Sequence, residues 1–261
     1  MPYAEVNDTR LHIRQAGTGP VALFIHGFPL DSTMWIEQIA DLAAVRRCIA
    51  PDLRGFGRSA PVTGAPLTME QHADDLAAIL DVVSAEQADI VGLSMGGYIA
   101  MAFADMYPDR VRSFALIDTR SGADSEEARA GRDAIAVRLV DEGRAAIAAS
   151  MDGGLLGPNA SLAVRGRVRS MVEGCPYETI IGALGGMRDR ADRTAILRGV
   201  TVPAAVIVGE LDAVTPPDEA AAMADALPDA TLTVIPGAGH LSPIEEPEGV
   251  NQALRALFER A

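Results

Sequence analysis

The chain has 261 residues, 49% of them hydrophobic, with 22 Lys and Arg against 36 Asp and Glu and a formal net charge of −14. Such a length allows one large domain or two small ones and is ample for a sizeable core. The acidic excess disfavours nucleic acid as a partner, because no basic surplus exists to displace the counterions of a polyanion, and it is read as a contribution to solubility.

In chain order, the opening MPYAEVNDTRLHIRQ has no basic region leading into an apolar one, so it reads as lacking a signal peptide. YAEVN and RLHIRQAG read as two short strands around the turn Asn7-Asp8. VALFIHG, 21–27, is apolar without alternation, the pattern of a strand buried on both faces of a sheet that carries helices on either side. RRCIAPDL, ADIVGLS, RSFALID (112–118), AAVIVGE (204–210) and, more weakly, ATLTVIPG (230–237) follow the same pattern. Between them, Thr68 as N-cap and Gln71 three residues later open a helix whose Leu76, Ile79, Leu80 and Val83 share one face. Residues 95–107 are apolar all round and stop before Pro108, as a fully buried helix does. Pro247 suits a first helical position, with Val250, Leu254, Leu257 and Phe258 on one face beyond it.

Strands alternating with helices predict an α/β fold with a mostly parallel, eight-stranded sheet covered by helices. Residues 121–191 break the rhythm and read as several helices inserted after the sixth strand. An insertion at the carboxyl edge of a parallel sheet lies over the crevice where ligands bind. The expected division is a core of 1–119 and 192–261 and a helical cap, or lid, of 120–191 that is not an independent domain. No apolar run approaches the ~20 residues that span a bilayer. Cys48 and Cys175, the only two cysteines, are expected as free thiols in a reducing compartment, and the expected location is cytoplasmic.

Gly92-Leu93-Ser94-Met95-Gly96 places a serine between an apolar strand and an apolar helix. A sharp strand-to-helix turn forces that serine into an unfavourable backbone conformation, and small residues two before and two after it let the chains pass. Strain of this kind costs about 1–3 kcal/mol and is accounted for if it lifts the Ser94 hydroxyl clear as a nucleophile. A base is then needed. Of His12, His26, His72 and His240, the first belongs to an early strand and the third to the first turn of a surface helix, so both read as structural. His240, in IPGAGHLSPIEEP, lies on a loop after the last strand and can reach the crevice. His26 reads as a buried hydrogen-bonding residue that holds its loop.

The base needs a carboxylate to fix its tautomer. Asp212 directly follows an apolar strand, with Glu210 and Asp118 as rivals at or beyond strand ends. Two backbone N–H groups would make an oxyanion hole: Met95 at a helix N-terminus, and Phe28 after the strand 21–27, since Pro29 has none. Trp35, Met151, Leu155 and Leu156 are candidate walls of a substrate pocket, with core packing the competing role.

HGFPLDSTMW, PDLRGFGRS, VGLSMGG, GELDAVTPP and GAGHLSPIEEP together resemble the α/β-hydrolase fold family over nearly the whole chain. Within that family the motifs are most similar to those of compact bacterial carboxylesterases and 3-oxoadipate enol-lactonases. The resemblance implies a Ser94–Asp212–His240 triad, with LDAVTPP matching the family's acid loop, and no cofactor. It disfavours haloalkane dehalogenases and many epoxide hydrolases, which carry aspartate where this chain has Ser94. PDLRGFGRS reads as a family-typical loop, because it lacks the Lys-Ser/Thr of a phosphate cradle. No Cys/His cluster has metal-ligand spacing and no dinucleotide fingerprint follows the first strand, so neither metal nor cofactor is expected. The expected activity is hydrolysis of a small-molecule carboxylic ester or lactone through an acyl-enzyme, with no nucleic acid and no membrane as partner. A perhydrolase or haloperoxidase, a C–C bond hydrolase and a ligand receptor with little turnover are the alternatives on the same frame.

Overall fold

The computed structural model describes residues 2–63 and 66–261. Tyr3–Val6 (β1) and Thr9–Ala16 (β2) form an antiparallel pair, with Asn7 in the left-handed region at the turn, φ 47°. Val21–Ile25 (β3), Ile36–Leu42 (α1), Arg47–Pro51 (β4), Met69–Val82 (α2), Ala88–Leu93 (β5), Met95–Met106 (α3) and Val111–Ile117 (β6) follow. Four helices come next: Glu126–Glu142 (α4), Arg144–Leu155 (α5), Leu162–Gly174 (α6) and Tyr177–Arg188 (α7). Thr194–Leu197 (α8), Ala204–Gly209 (β7), Pro217–Ala226 (α9), Ala230–Ile235 (β8), Ser242–Glu245 (α10) and Pro247–Glu259 (α11) complete the chain.

The eight strands make one sheet in the order β1-β2-β4-β3-β5-β6-β7-β8, in which β2 runs antiparallel to both neighbours and β3 to β8 run parallel. The unbroken apolar runs follow from this. In β3, Val21, Leu23 and Ile25 pack into the layer that holds α2, α3 and α9, and Ala22 and Phe24 pack into the layer of α1 and α11. A strand covered on both sides has no face left for polar residues.

Thr68 caps α2 by accepting the Gln71 N–H at 3.1 Å, as the capping pattern predicts. Helix α1 is not announced by periodicity; a single 3-10 turn, Ser32–Trp35, capped by Asp31, leads into it. His72 departs from expectation. The sequence pattern predicts a surface helix there, but α2 packs on both β1 and α3, and His72 is 0% exposed. Among the described residues neither of its ring nitrogens has a hydrogen-bond partner. Glu210 also differs from its expected place, because β7 ends at Gly209 and does not continue through it.

Helices α4 to α7 lie between β6 and β7 and join both apolar layers. Leu139, Ile147, Ile180 and Met187 belong to the cluster of α2 and α3, and Val168 and Met171 to that of α1 and α11. Cys48 and Cys175 are buried, free thiols, and burial pushes both up to about 12. Among the described residues no helix is long and apolar enough to cross a membrane.

Candidate active site

Strand β5 delivers Ser94 to the carboxyl edge of the sheet, and α3 begins at the next residue. Ser94 has φ 53° and ψ −115°, outside the comfortable regions for an L-residue. Its amide donates to Ile117 of β6 at 2.9 Å, and its carbonyl accepts the Thr119 hydroxyl at 2.8 Å. The flanking glycines are required by contact. A Cβ on Gly92 would lie 2.2 Å from the Gly96 carbonyl oxygen, and one on Gly96 would lie 2.2 Å from that of Ile25. No side chain fits at either position, so strand, turn and helix cross at backbone distance.

The three residues singled out in the sequence meet here. His240 Nε2 lies 2.9 Å from Ser94 Oγ, and His240 Nδ1 lies 2.8 Å from Asp212 Oδ2. The carboxylate can only accept, so Nδ1 carries the proton and Nε2 is the free acceptor that faces the serine. Asp212 and His240 are 3% and 2% exposed, so the bond between them is shielded from water, while Ser94 is half-buried. Asp212 is fixed by donors from its own loop: Val214 N–H and Thr215 N–H reach Oδ1 at 2.8 and 2.9 Å, and Thr215 Oγ1 reaches Oδ2 at 2.7 Å. Burial by itself raises the Asp212 carboxyl, but the His240 contact and the Thr215 donors outweigh it and hold the group below its ordinary value.

The two rivals are occupied elsewhere. Asp118, at φ 44°, accepts Gly209 N–H on Oδ1 at 2.8 Å and both the N–H and the hydroxyl of Ser242 on Oδ2, at 3.0 and 2.7 Å. Burial and the neighbouring Asp212 charge push its carboxyl well above the ordinary value. Glu210 is exposed and accepts Gly237 N–H at 2.9 Å.

The loop after β3 passes beside the serine: a Cβ on Gly27 would lie 3.5 Å from Ser94 Cβ. Phe28 is the next residue of this loop, and Met95 is the first residue of α3. Among the described residues the amide of neither is engaged by a carbonyl. His26 holds this loop as expected. Leu53 N–H donates to its Nε2 at 3.0 Å, so Nδ1 is the protonated nitrogen and donates to the Gly27 carbonyl at 2.9 Å. Burial lowers its pKa, in keeping with the neutral ring that these bonds require.

Of the candidate pocket walls, Trp35 is 0% exposed and packs on Phe24, with ring centroids 5.3 Å apart. Core packing, the competing role, is therefore the one it fills. Leu155 and Leu156 are buried at the end of α5, and the Leu155 carbonyl accepts the His240 N–H at 2.9 Å. Met151, partly buried, touches both apolar clusters. Sequence reasoning passed over Thr215 and Ser242. The one available signal was the Thr-Pro-Pro stretch, where a hydroxyl precedes a helix start within three residues of the acid.

A sequence profile described as the alpha/beta hydrolase family matches residues 22–253. An esterase from Thermogutta terrifontis, in a malate-bound structure, has a TM-score of 0.93 and 42% identity over 96% of this chain and 93% of that one. The enol-lactonase of Burkholderia xenovorans LB400 has a TM-score of 0.91 and 28% identity over 99% of this chain and 100% of that one. BpoC of Mycobacterium tuberculosis, provisionally named a non-heme bromoperoxidase, is 34% identical over 93% of this chain and 95% of its own length.

Proposed function

Because this chain belongs to the alpha/beta hydrolase family, we propose that it is a serine hydrolase that cleaves a carboxylic ester or lactone through an acyl-enzyme. The observation that carries the reading is the continuous hydrogen-bond chain from Ser94 Oγ through His240 to Asp212, at 2.9 and 2.8 Å. Ser94 Oγ attacks the carbonyl carbon as its proton passes to His240 Nε2. The carbonyl oxygen takes up the negative charge and is stabilised by the Phe28 and Met95 amides. Collapse of the tetrahedral species expels the alcohol, which leaves with the proton from His240. Water then attacks the acyl-enzyme, His240 takes its proton and returns it to Ser94, and the acid is released. Asp212 remains ionised throughout and stabilises the imidazolium.

Helices α4 to α7 act in this reading as a cap within one cooperative unit. Their apolar residues share clusters with the core, and the end of α5 bonds directly to His240. In this reading Leu155 and Leu156, next to the carbonyl that bonds to His240, and Met151 shape the acyl or alcohol side. The likeness to BpoC favours one second reading, in which hydrogen peroxide replaces water at the acyl-enzyme and the product is a peracid.

A panel of aryl esters, alkyl esters and lactones, assayed with wild type and Ser94→Ala, tests the proposal. Ser94→Ala should lose roughly 10⁴-fold or more in kcat and all labelling by a fluorophosphonate, with its fold unchanged. Undiminished labelling of that variant rejects Ser94 as the nucleophile. Adding hydrogen peroxide to the same assays and measuring peracid separates the two readings.

A further inference from the structure

Four successive amides, Gly239 to Ser242, each donate to a side chain or carbonyl at least four residues away in the chain. Gly239 N–H and Leu241 N–H both donate to Glu245 Oε1, at 3.0 and 3.2 Å. His240 N–H donates to the Leu155 carbonyl at 2.9 Å, and Ser242 N–H to Asp118 Oδ2 at 3.0 Å. The second oxygen of Glu245 faces the other way and accepts Gly157 N–H at 2.7 Å, in the turn after α5. One carboxylate thus grips both flanks of His240 with one oxygen and the inserted helical segment with the other.

Glycines make this arrangement fit. A Cβ on Gly157 would lie 2.9 Å from the Gly237 carbonyl oxygen and 3.0 Å from Glu245 Oε2. A Cβ on Gly239 would lie 2.4 Å from the Gly157 nitrogen and 2.8 Å from the Leu156 carbonyl carbon. The two segments therefore meet backbone to backbone, with no side chain between them except the Glu245 carboxylate. Together with the Leu155 carbonyl, this ties the end of α5 to the loop on which the base of the triad sits.

We infer that Glu245 is a positioning residue that couples the turn after α5 to His240, so that the two move as one unit. Its effect on rate rests on the serine-hydrolase reading; its effect on motion does not. A carboxylate that only stabilised the short helix α10 would lower the melting temperature and leave turnover intact. A coupling residue acts on the placement of Nε2 against Ser94, and a displacement of about 1 Å there costs on the order of 100-fold in rate.

The test is Glu245→Gln in the full chain. The amide keeps the shape but offers N–H at one oxygen position, where it meets another donor, so one of the two grips is lost. We expect kcat to fall about 10- to 100-fold, with KM within about threefold of wild type. Amide hydrogen exchange should accelerate in peptides covering both 153–159 and 236–243, while the sheet keeps its protection. If that variant does not fold, Glu245→Asp, which draws the charge back by one methylene, is read by the same measurements. Unchanged kcat, or exchange that rises around His240 but not after α5, overturns the inference. If wild type neither turns over esters or lactones nor reacts with a fluorophosphonate, the hydrolase reading falls, and the exchange pattern alone still decides the coupling.

Discussion

Three carboxylates reach the carboxyl edge of the sheet, and their hydrogen bonds sort them. Asp212 gives Oδ1 to the amides of its own loop and shares Oδ2 between the Thr215 hydroxyl and His240 Nδ1. Both oxygens of Asp118 are engaged by Gly209 and Ser242, and Glu210 faces the Gly237 amide. Asp212→Asn should therefore leave His240 in the wrong tautomer and lower kcat by up to ~10⁴-fold at neutral pH. Asp118→Asn keeps one acceptor oxygen and should cost much less, and Glu210→Gln should cost least. Kinetics of the three variants decide the assignment, and an Asp118→Asn enzyme more impaired than Asp212→Asn would reverse it. Sequence position could not choose among these residues, because all three follow strand ends. Ser94 was legible because only Gly92 and Gly96 let backbone cross backbone, a constraint written directly into residue type. Thr215 and Glu245 were harder to read, because Thr215 is marked only by its place three residues after the acid and Glu245 acts on backbone amides, which residue type does not announce.

Among the elements, the covered parallel strands were the most legible, since burial on both faces leaves a run that is apolar along most of its length. Helix α1 was hidden because it is short and follows a 3-10 turn, so no period develops. His72 was misplaced because the polar residues at the start of α2 suggested an exposed turn, whereas α2 is packed on two sides. The far end of β5 holds another polar group that apolar patterning does not announce. Asp89 is 0% exposed, lies 2.7 Å from Arg46 Nε and accepts the Ser113 hydroxyl at 2.8 Å. Arg46 in turn reaches the Phe258 carbonyl of α11 at 2.6 Å. This cluster joins the amino ends of β4, β5 and β6 to the last helix. Asp89→Ala leaves the Arg46 charge buried without its partner and should cost about 3–5 kcal/mol. Asp89 and Ser94 are separated by about 16 Å of strand, so kcat and KM should not change. Urea denaturation beside steady-state kinetics checks this, and a loss of kcat at full stability would show that the two ends of β5 are coupled.

For the molecule as a whole, two buried histidines, His72 and His26, contribute to the response to acid. Burial, assisted by His26 and Arg54, lowers His72 to about 3, and burial also lowers His26. A histidine whose folded pKa is depressed takes up a proton more readily in the unfolded chain. Its contribution is intact above the unfolded pKa of about 6.5 and is lost as pH falls towards the folded value. For His72 that window runs from about 6.5 down to about 3. Asp212, Asp52 and Asp124, with depressed values, add their losses only at the acid end of the window. Asp118 and Glu245 are raised, keep their protons longer in the folded state and oppose the trend. The overall slope is therefore a difference between opposing groups, and a variant comparison isolates one of them. His72→Leu removes two ring nitrogens that have no partner among the described residues and fills a similar volume, so at pH 8 its stability should equal or exceed that of wild type. Below pH 6.5 its advantage should grow by up to about 1.4 kcal/mol per pH unit, because the wild-type unfolded state gains a proton that the variant cannot bind. Stability curves of the two proteins from pH 8 to pH 4 should diverge on the acid side, and parallel curves would mean that His72 is protonated alike in the folded and unfolded chains.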